Sequence, residues 1–194
     1  MDYKKLAEQL KAKYNEAILP VRHIGMTLEE HFKSKGQKFS AEIFCKQFDC
    51  ILQYSMLEIA VADGTITGVE LAIVKEITKY CDLVKYINSN YNAKITWEDI
   101  LKAGVPTVKK WLANQKPLLD KLAEQFVYGF AFVDASVTKE DILKELIAGW
   151  AGVLGLLSCA DGDGSNSERE ALRKCYVMEV VNKIEELVKK IENE

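Results

Sequence analysis

The sequence predicts an all-α protein: a single-domain multi-helix bundle with two pseudo-repeated acidic helix–loop–helix motifs. Three observations predict it. Apolar residues recur at helical spacing along most of the 194 residues. Only three prolines and eleven glycines are present to interrupt helices. No segment alternates apolar and polar residues between turn signals, as a half-buried strand does. The best strand candidate, Tyr128 to Val133, reads better as helix. The length suits one domain with a core of its own, and 48% apolar with 28% charged residues argues against disorder.

Leu6, Leu10 and Tyr14 open the first amphipathic helix, which Pro20 is expected to end or fray. Thr27, with Glu30 three positions on, predicts the cap of a short helix from about Met26 to Lys35, stopped at Gly36. Residues 1–40 therefore read as an N-terminal helical extension that joins a domain over 41–194. Ser40 opens a run with Ile43, Phe44, Phe48, Ile51, Leu52, Ser55, Met56 and Ile59 on one side, closed by the turn signal Asp63-Gly64. A helix restarts at Val69 and carries Leu71, Ile73, Val74, Ile77 and Cys81.

From Lys85 to Lys94 the polar, asparagine-rich stretch reads as a loop. Thr96 with Asp99 starts a helix that Gly104 closes, and Pro106 suits the first turn of the next, which Pro117 is expected to kink or divide. Thr138 with Asp141 opens what reads as the longest core helix, running to Ala160. After the acidic loop Asp161 to Asn166, one final helix from about Ser167 carries Leu172, Cys175, Tyr176, Val180 and Ile184.

Composition excludes several function classes. The net charge of −3, with Lys and Arg dispersed among Asp and Glu, leaves no basic stripe for nucleic acid. Lys4-Lys5, Lys109-Lys110 and Lys189-Lys190 read as wet helix faces, and the tail around Leu187 and Ile191 as a solvated helix end. The five cysteines contain no Cys-x-x-Cys pair and read as buried reduced thiols. No apolar run follows the charged start, and the longest, Ile147 to Ala160, is shorter than the ~18–20 residues of a membrane span. A soluble, cytoplasmic protein is the expectation.

The information lies in an internal near-repeat. Residues 59–70 read IAVADGTITGVE and residues 157–168 read LSCADGDGSNSE. Each joins an apolar helix end to Ala-Asp-Gly, with an acid seven positions after the Asp. Asp63 thus pairs with Glu70, and Asp161 with Glu168. Asp-Gly makes a turn in which the carboxylate folds over backbone N–H groups. The later Glu sits in the first helical turn, where the helix dipole favours negative charge. Such a loop can aim two carboxylates at one point, the oxygen chemistry that Ca²⁺ or Mg²⁺ requires. The second copy adds Asp163 and Glu170, with Ser165, Asn166 and Ser167 as further oxygen donors. Its opening resembles an EF-hand loop, but Asn166 stands where the sixth-position glycine belongs and Leu172 where the twelfth-position acid belongs. The other reading is structural. Thr67-Gly-Val-Glu70 and Ser167-Glu-Arg-Glu170 both fit capping boxes.

Ala62 to Glu70, Ala-Asp-Gly-x-Ile-x-x-x-Glu, resembles the signature of the tellurite-resistance TerB-like family. The second copy, Ala160 to Glu168, keeps the Asp-Gly and the Glu but has Gly164 in place of Ile66, and SEREALRK is typical of the helix that follows. The resemblance covers roughly 41–83 and 127–190. It implies an all-helical, non-enzymatic stress-response module whose acidic loops bind a divalent cation or a protein partner. Carried over by position, the residues implied are Asp63, Glu70, Asp161 and Glu168, with Asp163 added from the loop itself.

Other chemistry is thin. His23 and His31, eight apart, do not make a helical metal pair, and no phosphate-cradling loop or nucleophile elbow is present. Gly149, Gly152 and Gly155 recur every three residues inside a helix, and Ala148, Gly152, Gly155 and Cys159 form a small-residue stripe expected to pack against the helix ending at Asp63. Trp97, Trp111 and Trp150 read as core or interface anchors. Three functions follow: a binding module using acidic loops with a cation or a basic partner, a structural interaction domain without metal, and a metal-dependent hydrolase. The last has no histidine, lysine or tyrosine inside either loop to handle protons.

Overall fold

Leu6, Leu10, Tyr14, Ile18, Val21, Ile24 and Leu28 form one unbroken buried stripe along a single helix, α1 (Tyr3–Ser34). This corrects the expected end at Pro20 and the separate short helix after Met26. Pro20 does leave the Glu16 carbonyl without its helical donor. Burial of residues on both sides of it against the rest of the protein holds the helix together. Thr27 is no cap: its hydroxyl donates to the His23 carbonyl at 3.0 Å, one turn back within the helix. The expected stop at Gly36 is present. With φ of 69°, Gly36 lets its own N–H reach the Lys33 carbonyl and the Gln37 N–H reach the Phe32 carbonyl.

The computed structural model describes residues 3–77, 82–91, 94–131, 139–159 and 165–192. Among them are nine α-helices and no strand. After α1 come α2 (Ala41–Ala60), α3 (Gly68–Ile77), α4 (Leu83–Tyr91), α5 (Trp97–Lys102) and α6 (Val105–Phe130). The chain closes with α7 (Lys139–Ser158), α8 (Asn166–Lys174) and α9 (Tyr176–Glu192). None of the described helices is long and apolar enough to cross a membrane.

Helix α2 is the central element. Ser40 caps it by accepting the Ile43 N–H, and every residue from Phe48 to Leu57 is buried. A helix covered on all sides needs neighbours all round, and α2 touches α1, α3, α4, α6, α7, α8 and α9. Phe44 stacks on Phe126 of α6 at 5.0 Å, and Phe48 stacks on Trp150 of α7 at 5.2 Å. The residues of α1 join the same core, so the N-terminal extension packs with the rest.

Further expectations are corrected. The polar stretch is helical as far as Tyr91, because Leu83, Val84 and Ile87 bury an apolar stripe. Its start is held by Asp82, which accepts the Lys85 N–H, and by Gln53 of α2, which accepts the Leu83 N–H at 2.8 Å. Pro117 does not divide α6, which runs from Val105 to Phe130. The longest described helix is α1, with 32 residues, not the one ending before Asp161.

Gly149 and Gly152 of α7 face α1, not α2 as expected for the small-residue stripe. A Cβ on Gly149 would lie 2.4 Å from the Ala17 Cα, while one on Gly152 would meet only the Lys13 side chain, at 2.9 Å. Ala148 and Cys159, expected in that stripe, are exposed. Cys50 and Cys175 are buried and Cys45 half-buried, and burial pushes the Cys45 and Cys175 thiols up to about 11. Cys81, Thr138 and the segment Phe132 to Asp134 lie outside the described residues.

Candidate functional site

The two acidic motifs occupy matching positions. Ala41 and Lys139 begin their helices, Ala60 and Ser158 end them, and Gly68 and Asn166 begin the next, all at one constant offset along the chain. In the first turn Gly64 takes φ of 95° and Asp63 stays exposed. Asp63 Oδ1 accepts the Thr65 N–H at 2.8 Å, and both its oxygens lie 3.0 Å from the Thr65 hydroxyl.

Glu70 is placed differently. It is only 2% exposed, and its Oε2 accepts the Thr67 N–H at 2.7 Å and the Thr67 hydroxyl at 2.8 Å. The Glu70 N–H donates back to that hydroxyl oxygen at 3.2 Å. This reciprocal arrangement is a capping box, which satisfies orphan N–H groups at the start of α3.

The second motif repeats the arrangement with Ser165. Its N–H donates to Glu168 Oε2 at 2.7 Å, and its hydroxyl oxygen accepts the Glu168 N–H at 3.1 Å. Glu168 is likewise 2% exposed. The expected box of Ser167 and Glu170 is therefore shifted by two residues. Glu170 points outward to Lys174 at 2.6 Å, which holds its carboxyl below the usual range. Asp161 and Asp163 lie outside the described residues. Of the five residues expected to hold a cation, three are thus placed: Asp63 exposed, Glu70 and Glu168 enclosed. Among the described residues, no cluster of three or more His, Cys, Asp or Glu side chains is arranged to hold a metal.

Thr67→Ala and Ser165→Ala should each lower stability by about 0.5–2 kcal/mol, the usual worth of such a cap. Urea unfolding of the two variants checks this, and an unchanged midpoint would mean that the boxes contribute nothing.

Two polar clusters were not foreseen from the sequence. One builds the start of α9. Helices α8 and α9, expected as one, part at Cys175, where ψ is 162°. Side chains from distant α2 then cap the new helix: Glu58 accepts the Tyr176 N–H at 2.7 Å and Ser55 the Val177 N–H at 2.9 Å. The Tyr176 hydroxyl donates to Asp120 at 2.8 Å, and Lys116 bridges to Glu179 while lying over the Tyr176 ring. Burial pushes Glu58 up to about 7, against the pull of the Tyr176 N–H. The only local signal was an acid among apolar residues one turn before Ala-Asp-Gly.

The other cluster lies between α1 and α2. Asp49, 3% exposed, accepts the Tyr14 hydroxyl at 2.7 Å, and burial pushes its carboxyl up to about 7 while Tyr14 and Arg22 oppose the rise. Its signal was likewise a carboxylate on the face shared with Phe48 and Leu52.

No known protein family, curated protein or solved structure matches this chain. The likeness to TerB-like proteins rests on its motif residues alone.

Proposed function

We propose that the chain is a non-enzymatic interaction module of the TerB-like kind, whose acidic turns receive a basic surface of a partner protein. The supporting observation is how the motif carboxylates are used. Glu70 and Glu168 are enclosed in capping boxes, and Asp63 remains the exposed acid of the first turn. Ca²⁺ wants six to eight oxygens, and recruiting either Glu would undo the cap that starts its helix. A hydrolytic pair of ions would need the same enclosed carboxylates. Cationic side chains ask for less, since one exposed carboxylate can take one Lys or Arg without reorganising the turn.

The test is fluorescence anisotropy of a labelled Lys- and Arg-rich peptide titrated with the protein at low and physiological salt. Binding should weaken with salt, weaken further in Asp63→Asn and Asp161→Asn, and persist in Glu30→Gln, which removes the same charge from the exposed face of α1. Equal loss in all three variants would reduce the effect to net charge and overturn the proposal. Thermal unfolding with chelator and with Ca²⁺, Mg²⁺, Mn²⁺ or Zn²⁺ decides the other branch. An ion at a hundredfold over its dissociation constant stabilises by about 2.7 kcal/mol. Such a gain, abolished in the two Asn variants, would replace the basic partner with a cation.

A further inference from the structure

Helices α1 and α2 run past each other and leave an open cleft of about 450 Å³ between them. Tyr14, Ile18, Arg22 and Met26 follow one another in steps of four along α1, and Ala41, Cys45 and Asp49 do the same along α2, so each helix lends one face. Volume of this order suits a small molecule, and the mixture of apolar walls with few polar groups is what such sites use.

Three features define the chemistry of the cleft. Asp49 is 3% exposed, yet Tyr14 occupies only its Oδ1, and among the described residues no donor reaches Oδ2. Arg22, on the α1 wall, forms no hydrogen bond or ion pair among the described residues, although its charge acts on Asp49 and Tyr14. Met26, at the far end, exposes 59% of its surface beside the cleft. The remaining charges at the mouth, Glu42 and Lys46, bond to each other.

One ligand class answers all three. A group with hydrogen-bond donors and positive charge completes Asp49 Oδ2. A planar anion takes the guanidinium of Arg22. An apolar tail covers Ile18 and Met26. We propose that the cleft between α1 and α2 binds a free α-amino acid with an apolar side chain, its ammonium group on Asp49 and its carboxylate on Arg22. A simple amine would leave Arg22 unpaired and feel its repulsion. A simple carboxylate would leave the Asp49 oxygen unmet. The Tyr14 hydroxyl holds the other carboxylate oxygen of Asp49.

Calorimetric titration of the full chain with L-leucine and L-methionine tests this, alongside the half-molecules 3-methylbutylamine and 4-methylpentanoate. Saturable binding of at least one amino acid is expected, with each half-molecule weaker by about tenfold or more, the worth of one charged hydrogen-bonding group. Asp49→Asn and Arg22→Gln should each weaken the amino acid to a similar degree. Should Asp49→Asn fail to fold, Arg22→Gln, altered at an exposed position, carries the test alone. No binding of either amino acid to the folded protein overturns the proposal. So does an amine that binds as tightly as leucine and ignores Arg22→Gln, or a carboxylate that does so and ignores Asp49→Asn.

Discussion

Replacing Gly149 with valine should destabilise the protein by about 3 kcal/mol, the upper part of the range for overpacking a close-packed contact. A Cβ there would sit 2.4 Å from the Ala17 Cα and 2.9 Å from the Ala17 nitrogen. Those are backbone atoms of α1 and cannot swing aside, so the two helices must separate. The neighbouring glycines supply the contrast. Gly152→Ala meets only the Lys13 Cδ, at 2.9 Å, the flexible end of a side chain that can move. Its cost should nearly cancel against the better helix propensity of alanine. Gly155→Ala has nothing within 4 Å and should stabilise by up to about 1 kcal/mol. Urea unfolding of the three variants gives the order directly. If Gly149→Val behaved like Gly155→Ala, the close approach of α1 and α7 would be wrong.

Stability should fall as pH rises from about 4 to above 7, on account of Asp49 and Glu58. Both carboxyls are held near 7 in the folded protein, chiefly by burial. A carboxyl raised on folding binds its proton more tightly in the native state. Its stabilising contribution is therefore complete below the unfolded value, near 4, and is lost as pH passes through the folded value. Each should contribute on the order of 2–4 kcal/mol across that window, since a shift of one unit is worth about 1.4 kcal/mol. Around Asp49, Tyr14 and Arg22 hold the carboxyl down against burial. Around Glu58, Glu179 adds to the rise, and the Tyr176 N–H and Lys116 oppose it. The exposed acids Glu42, Glu98, Asp99 and Glu170 are lowered by their partners and act oppositely, losing stability only in more acidic solution. Thermal midpoints from pH 4 to 8 should therefore decline for the wild type. Asp49→Asn and Glu58→Gln should each flatten part of the decline. A midpoint that rose over the same range, unchanged by either variant, would contradict this account.

The sites differ in how they were encoded. Thr67 and Glu70 are written close together because a capping box spans four residues of chain, and the same holds for Thr96 with Asp99. The register of the second box was misread because Ser165 and Ser167 each have a glutamate three positions on. In the structure it is Ser165 that caps α8. Asp49 and Glu58 were not foreseen as sites, since the Tyr14 hydroxyl and the Tyr176 N–H that meet them come from remote parts of the chain.

By itself, the sequence determined the helical class, the helix start at Ser40, the stops at Gly36 and Gly104, and the Asp-Gly turn at Asp63. Each of these depends on periodicity or on groups within one helical turn, where backbone sterics and local hydrogen bonds dominate. Only the tertiary structure decided that α1 passes through Pro20, that α4 forms despite its asparagines and that α8 and α9 part at Cys175. It also decided that Gly149 meets Ala17. In each case a local preference worth about 1–3 kcal/mol was outweighed by burial or by a cap supplied from elsewhere, and a linear pattern does not record which surfaces will meet.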